Sequence, residues 1–317
     1  MSFKEYLLGK RQRLSWVEED SFAVGGDMAA DGEVLGLNAT IEPGFTQNWE
    51  EILSAGSGEM TVDNFEKGIR ELPFTITFKP VSFKFLKYCG YDFTNTGSSP
   101  IVHTGSLVNY LQSFTLEWAI YHSNPVVFTL KGCGVLSVTI SFSKGTGEGE
   151  SLITVSMQCY AKSVEKGSVI SSIDNITRKP FHFRHVKVTE NNEEIVEINN
   201  GEITINRGID PNDSRYCSTT LDGEVGELIP KVHRINGRYN VNVKDDTQFE
   251  LWLSSEKVDN CKLEFIKDAD DKVEFGLDNL VIPGSLPSPM LEGVINTDIV
   301  WRCKKFNPIE VRDDITY

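Results

Sequence analysis

Five histidines, six cysteines and 46 carboxylates are available for acid–base, nucleophilic or metal chemistry in this 317-residue chain, yet their spacing assembles no site. His182 and His185, in KPFHFRHVKV, stand three residues apart. Read as a strand, that segment turns the two rings to opposite faces, so no shared metal is expected. Cys89, Cys133, Cys159, Cys217, Cys261 and Cys303 are scattered, mostly through apolar segments, with no CxxC pair. They read as buried free thiols acting as small hydrophobes, with a zinc site or a disulfide framework as the alternative. GTGEGE, residues 145–150, lacks the Lys-Ser/Thr that ends a phosphate loop and leads into no helix, so it reads as a hairpin tip. A calcium loop needs alternating oxygen ligands, a glycine and a distal Glu. Asp245 with Asp246, and Asp268 with Asp270 and Asp271, supply fragments of that pattern and read as turns. With no GxSxG elbow and no paired glycosidase carboxylates in a credible context, no catalytic residue, metal or cofactor is expected.

Composition narrows the field further. Hydrophobic residues make up 39% and aromatics 10%, enough to bury a proper core. No apolar run approaches the ~20 residues that span a bilayer, so no membrane contact is expected. The opening MSFKEYLLGKRQRLSWVEED does not read as a secretory signal, which makes the cytoplasm the expected place of synthesis and assembly. Formal charge is −15 and the isoelectric point is near 4.8. A protein that grips duplex DNA over a broad surface carries a basic face, and this balance argues against one. An acidic wall would suit a conduit that lets DNA slide; solubility alone is the plainer reading of the same charge.

The elements are legible as period-2 alternation. From Phe114 to Val164 the chain reads as paired strands without a helix. Leu136, Val138, Ile140 and Phe142 alternate with Ser137, Thr139 and Ser141. Beyond the glycine-rich tip, Ile153, Val155, Met157, Cys159 and Ala161 alternate with Thr154, Ser156, Gln158 and Tyr160. One face of this long hairpin is oily; the other is Ser, Thr and Gln, suited to water or another subunit. The two halves also run in the same order. A strand (Val34–Ile41), a polar stretch (Glu42–Met60), PFTITFKP, a short helix over 81–90 ended by Gly90, and three strands make the first half. A strand pair in EEIVEINNGEITINR, a polar stretch (Gly208–Glu227), GRYNVNVKDD, a short helix in TQFELWLSS, and three strands make the second. Tyr239, Val241 and Val243 match Phe74, Ile76 and Phe78. A diverged duplication follows, with units 1–170 and 171–317 and a boundary near Ser163–Pro180; two β-rich halves looking alike by chance is the alternative.

In that order of elements the chain resembles the tail tube proteins of long-tailed (siphovirus- or myovirus-like) bacterial and archaeal viruses. LSWVEEDSFAVGG is similar to the family's N-terminal segment of an apolar stretch, a Glu and a turn of S/T-aromatic-x-x-G type. FTLKGCGVLSVTISFSKGTGEGESLITVSMQCYAKSV resembles its aromatic-x-x-x-G-C, strand, hairpin and strand block, and INNGEITINRGI its second-half opening. The likeness covers most of residues 12–305.

The resemblance implies a mainly β fold of two tandem β-sandwich or open-barrel units, each with one short flanking helix. Six family units join edge to edge in a ring, rings stack, and the genome leaves through the tube. A two-unit chain is then expected as a trimer in preference to a hexamer. Ser137, Thr139, Ser141, Thr154, Ser156 and Gln158 are expected to face the lumen. Trp49, Ile52 and Leu53 on the first polar stretch, and Tyr216, Val225 and Leu228 on the second, are the expected anchors of arms that reach a neighbouring subunit or ring. Expected partners are other copies of the chain, the tape measure, the tail terminator, and the baseplate or tip, with viral DNA passing without specific binding. The expected location is the virion tail. The alternative is a carbohydrate- or receptor-binding virion adhesin, which Trp16, Trp49, Trp118, Trp252 and Trp301, widely separated, do not favour.

Overall fold

The computed structural model describes residues 12–52, 64–121, 125–145, 147, 150–167, 169–174, 176–215, 224–242, 258–281, 296–306 and 309–315. Strands dominate. The first half holds β1 (Gln12–Glu18), β2 (Glu33–Val34), β3 (Leu37–Pro43), β4 (Thr46–Ile52), β5 (Asn64–Glu71) and β6 (Pro73–Lys79), then β7 (Tyr91–Thr96), β8 (Ile101–Leu107), β9 (Phe114–Ile120), β10 (Val126–Ser143), β11 (Thr154–Tyr160) and β12 (Ser163–Gly167). The second half holds β13 (Val186–Glu190), β14 (Glu193–Glu194), β15 (Ile198–Asn206), β16 (Arg234–Asn242), β17 (Cys261–Ile266), β18 (Lys272–Val281), β19 (Asn296–Phe306) and β20 (Ile309–Asp313). Among the described residues helical structure is limited to short segments, including α1 (Met28–Asp31), capped by the Asp27 carboxylate.

Strand β10 organises the first half. Its beginning pairs with β9 and β12; from Gly134 it pairs with β11, and from Ser137 with β15. It therefore passes from one sheet to another, as corner strands of a sandwich do. The switch sits at Gly132, whose φ of +64° only glycine adopts without strain and whose missing side chain leaves room for Lys162 and Ala23. A bulge between Val135 and Ser137 leaves Leu136 as the extra residue. Leu136 is displaced from the expected oily face and packs beside Tyr160, Ile209, Val225 and Leu228.

The second half repeats these ladders in the same chain order. β1 pairs with β2 and β9, and β13 with β14 and β17. β10 pairs with β9, β12 and β11, and β18 with β17, β20 and β19. β6 lies between β11 and β3, and β16 between β19 and β15. Asn279 of β18 even has the positive φ of Gly132, 54° against 64°, at the matching switch. The β7–β8 hairpin is the first half's own addition. Traced ladder by ladder among the described residues, the main network branches and never returns to its starting strand, which leaves free edges there.

Both halves share one apolar core. Phe74, Ile76 and Phe78 of β6, Val138 and Ile140 of β10, Ile203 and Ile205 of β15, and Tyr239 and Val241 of β16 all belong to it. Phe83 is its hinge point, with ring centroids 5.4 Å from Phe85, 5.1 Å from Phe181 and 5.3 Å from Phe265.

Several expectations need correction. The helix at 81–90 is a tighter 3₁₀ turn, Lys84–Cys89, though Gly90 does end it at φ +96°. The strand placed at Val34–Ile41 divides into β2 and β3. The first polar stretch begins as the end of β3 and then β4, which pairs with β5 in a separate two-stranded sheet. A 3₁₀ turn at Phe183–His185 brings the His182 and His185 rings to 5.7 Å instead of opposing them. Among the described residues, no group of three His, Cys, Asp or Glu side chains is placed to hold a metal ion. Asp268 forms the expected turn, accepting the N–H groups of Asp270 and Asp271 at 2.9 Å each. Cys89, Cys133, Cys159 and Cys261 are buried free thiols. Burial raises the thiols of Cys89 and Cys261 to about 12. Asp245, Asp246, Cys217 and the expected second helix lie outside the described residues.

Candidate functional site

Alternation on β3, β6, β11, β10, β15, β16 and β19 sends one set of side chains into the core and the other to a single polar face. Register places neighbours across it: Gln158 stands opposite Thr75 and Ser137, Ser156 opposite Thr77 and Thr139. Ser141 is opposite Thr154 and, on its other side, Glu202; Thr204 is opposite Thr139 and Asn236. All six residues expected to line a polar surface therefore share one face. They hydrogen-bond across strands: the Ser137 hydroxyl donates to Gln158 Oε1 at 3.0 Å, and the Thr139 and Thr204 hydroxyls meet at 2.9 Å. The face continues from one half into the other through the β10–β15 ladder.

The charge on this face is mixed. Lys79, Arg234, Arg238 and Arg302 stand on it against Glu42, Glu202 and Asp298. Arg238 Nε lies 3.0 Å from Glu202 Oε1, and Asn240 donates to Asp298 Oδ1 at 2.9 Å. Partial burial lowers the ammonium pKa of Lys79. Carboxylates are instead concentrated in a cleft of about 1210 Å³ elsewhere, where Glu18, Asp20, Asp27, Asp31, Glu33 and Asp174 face Lys84 and Arg178. Among the described residues its lining holds no Ser, Cys or His.

The expected arm anchors divide. Trp49, in β4, is 61% exposed on the projecting hairpin. Ile52 ends the same strand. Leu53 and Tyr216 lie outside the described residues. Val225 and Leu228 are 1% and 3% exposed, packed inside this chain against Tyr160 and Ile209. That placement leaves them little surface for a neighbour. Arg215 adds a link, donating to Tyr160 Oη at 2.8 Å and to Glu71 Oε1 at 3.4 Å, so the second polar stretch leans on the base of the β4–β5 hairpin.

Three buried polar groups hold this arrangement and carry no local sequence signal. Glu19 accepts from Ala23 N, Ser113 Oγ, Thr115 Oγ1 and Gly132 N at 2.7–3.0 Å. Through Gly132 it joins two of the segments that carry the family resemblance. Arg207, fully buried after β15, donates to the carbonyls of Tyr88 at 3.1 Å and Tyr110 at 2.8 Å, while its own N–H reaches Leu136 O. It ties the second half to the end of the 3₁₀ turn in the first. His103 Nε2 lies 3.1 Å from Asp313 Oδ1, where β20 crosses back to pair with β8.

Among the described residues, no helix is long and apolar enough to cross a membrane. A comparison with curated proteins finds no match. A family model described as phage tail tube protein matches residues 9–273, from just before β1 into the start of β18. With more than half its length matched, and with the β-rich architecture and continuous polar sheet face described above, the chain belongs to the phage tail tube protein family and is a structural component of the virion tail.

Proposed function

We propose that the chain carries two tail-tube units, 1–170 and 171–317, and assembles as a trimer whose ring presents six similar sheet segments around a lumen for the viral genome. The β10–β15 ladder is the observation that carries this reading. There the last wall strand of one unit receives the first wall strand of the next, inside one polypeptide. By the repeated ladder order, β3 is the first-unit counterpart of β15. It pairs with β6 on one side, and among the described residues no strand pairs with its outer edge. Gly44 N donates to Pro73 O, so alternation turns the Ile41 N–H and carbonyl outward. An open row of such groups is an aggregation hazard in a monomer and a joint in a ring. A contact that repeats head to tail closes when its rotation does.

In this reading the polar face lines the lumen, the apolar face packs on the unit's own core, and the hairpin carrying Trp49 projects toward an adjacent copy. The tape measure and DNA occupy the lumen; the terminator and the baseplate or tip meet the tube's ends. No catalytic role is assigned. Negative-stain imaging of purified protein tests the reading: rings or tubes are expected. A monomer that forms neither and binds glycans would replace it with the adhesin reading.

A further inference from the structure

The polar face is electrically uneven. On the first half's strands β6, β10 and β11 it carries hydroxyls and amides, with Lys79 as the only cation among its described residues there. On β16 and β19 it carries arginines. Arg238 is engaged by Glu202, whereas Arg234 and Arg302 hold no carboxylate partner among the described residues. Both are exposed, and register sets them together: Arg302 stands opposite Asn236, and Arg234 is the next position of the same face on β16. Two unneutralised guanidinium groups side by side, in a chain of net charge −15, are a local exception that composition hides.

We propose that Arg234 and Arg302 form a phosphate-contacting pair for duplex DNA. A guanidinium offers a planar fork of donors that matches phosphate oxygens and stays charged at any physiological pH. Among the described residues neither side chain is held by a neighbouring acid, so contact requires no ion pair there to break first. Asp298, opposite Asn240, and Glu202, opposite Arg238, stand further along the same face and limit its strength. The contacts read no base edges and are therefore independent of sequence. They turn over quickly, because each contact exchanges with counterions in solution. The surrounding hydroxyl and amide surface carries the duplex between such pairs. This inference rests on reading the face as the lumen wall.

The test uses assembled full-length protein and a fluorescently labelled duplex of about 20 base pairs, with co-sedimentation measured across a sodium chloride series. Wild-type assemblies should retain the duplex at low salt and release it as salt rises. The double variant Arg234→Gln/Arg302→Gln should retain it roughly tenfold less at low salt, with a shallower salt slope. Lys166→Gln, on β12 away from the face, should behave as wild type. The inference is overturned if the double variant, shown by imaging to assemble normally, retains duplex like wild type. Wild-type tubes that retain none overturn it equally, and leave the tube reading intact. Duplex binding that needs both arginines in a protein that never forms rings would support the contact and contradict the lumen reading.

Discussion

Glu190 shows how much a single buried group weighs in this fold. It ends β13, is 9% exposed, and accepts a hydrogen bond from the Tyr239 hydroxyl. Burial pushes its carboxyl up to about 7 from an ordinary 4.5. The folded chain therefore holds a proton that the unfolded chain has lost between those two values. Stability attributable to Glu190 is full below about pH 4.5, falls as pH rises, and is gone above about pH 7. Glu190→Gln should flatten that part of the profile and stabilise the protein at pH 8 by on the order of 2–3 kcal/mol. Urea midpoints at several pH values check this, and an unchanged profile in the variant would refute it. Glu19→Ala should act oppositely, costing about 3 kcal/mol by leaving buried donors unmet; thermal melting reads the loss. The Glu in the N-terminal segment is visible in the sequence, but its role is not. Ser113 and Gly132, two of its partners, lie 94 and 113 residues away along the chain. Arg207 is illegible for the same reason, since its partners are backbone carbonyls of distant segments.

At the scale of elements, strict alternation made β10 and β11 readable, because a half-buried strand must present one residue type to each side. The alternation fails at Leu136, where a bulge inserts a residue that no local pattern marks. Strand β4 of the β4–β5 hairpin lies in the stretch read as polar, Glu42–Met60, because TQNWEEI lacks a strand's alternation. A lone two-stranded hairpin is marginal in water, and its exposed Trp49 suits a partner. The base of the hairpin is closed independently by the Gly44–Pro73 hydrogen bond at 2.8 Å. Replacing residues 46–71 with a short Asn-Gly turn should keep the melting temperature within a few degrees and abolish tube growth. Light scattering during assembly reads the second effect; undiminished growth would show the hairpin to be dispensable.

For the whole molecule, the mainly β class was legible, because strand alternation runs through both halves. The shared core was not, since it depends on Phe83 crossing to Phe265 between halves. The charge on the polar face was not legible from net charge, which sums the surface without locating it. If that face lines the lumen, substituting Lys at Ser137, Thr139 and Thr154 should spare the fold and slow DNA ejection from assembled virions, because three more cations per chain hold phosphates longer. Normal ejection would count against the lining. The most direct test is the number of chains in a ring, from the mass of isolated rings combined with averaged end-on images. Three copies surrounding a lumen of six similar wall segments is the expected result. Six copies per ring, or a stable monomer with the β3 edge already occupied, would contradict it.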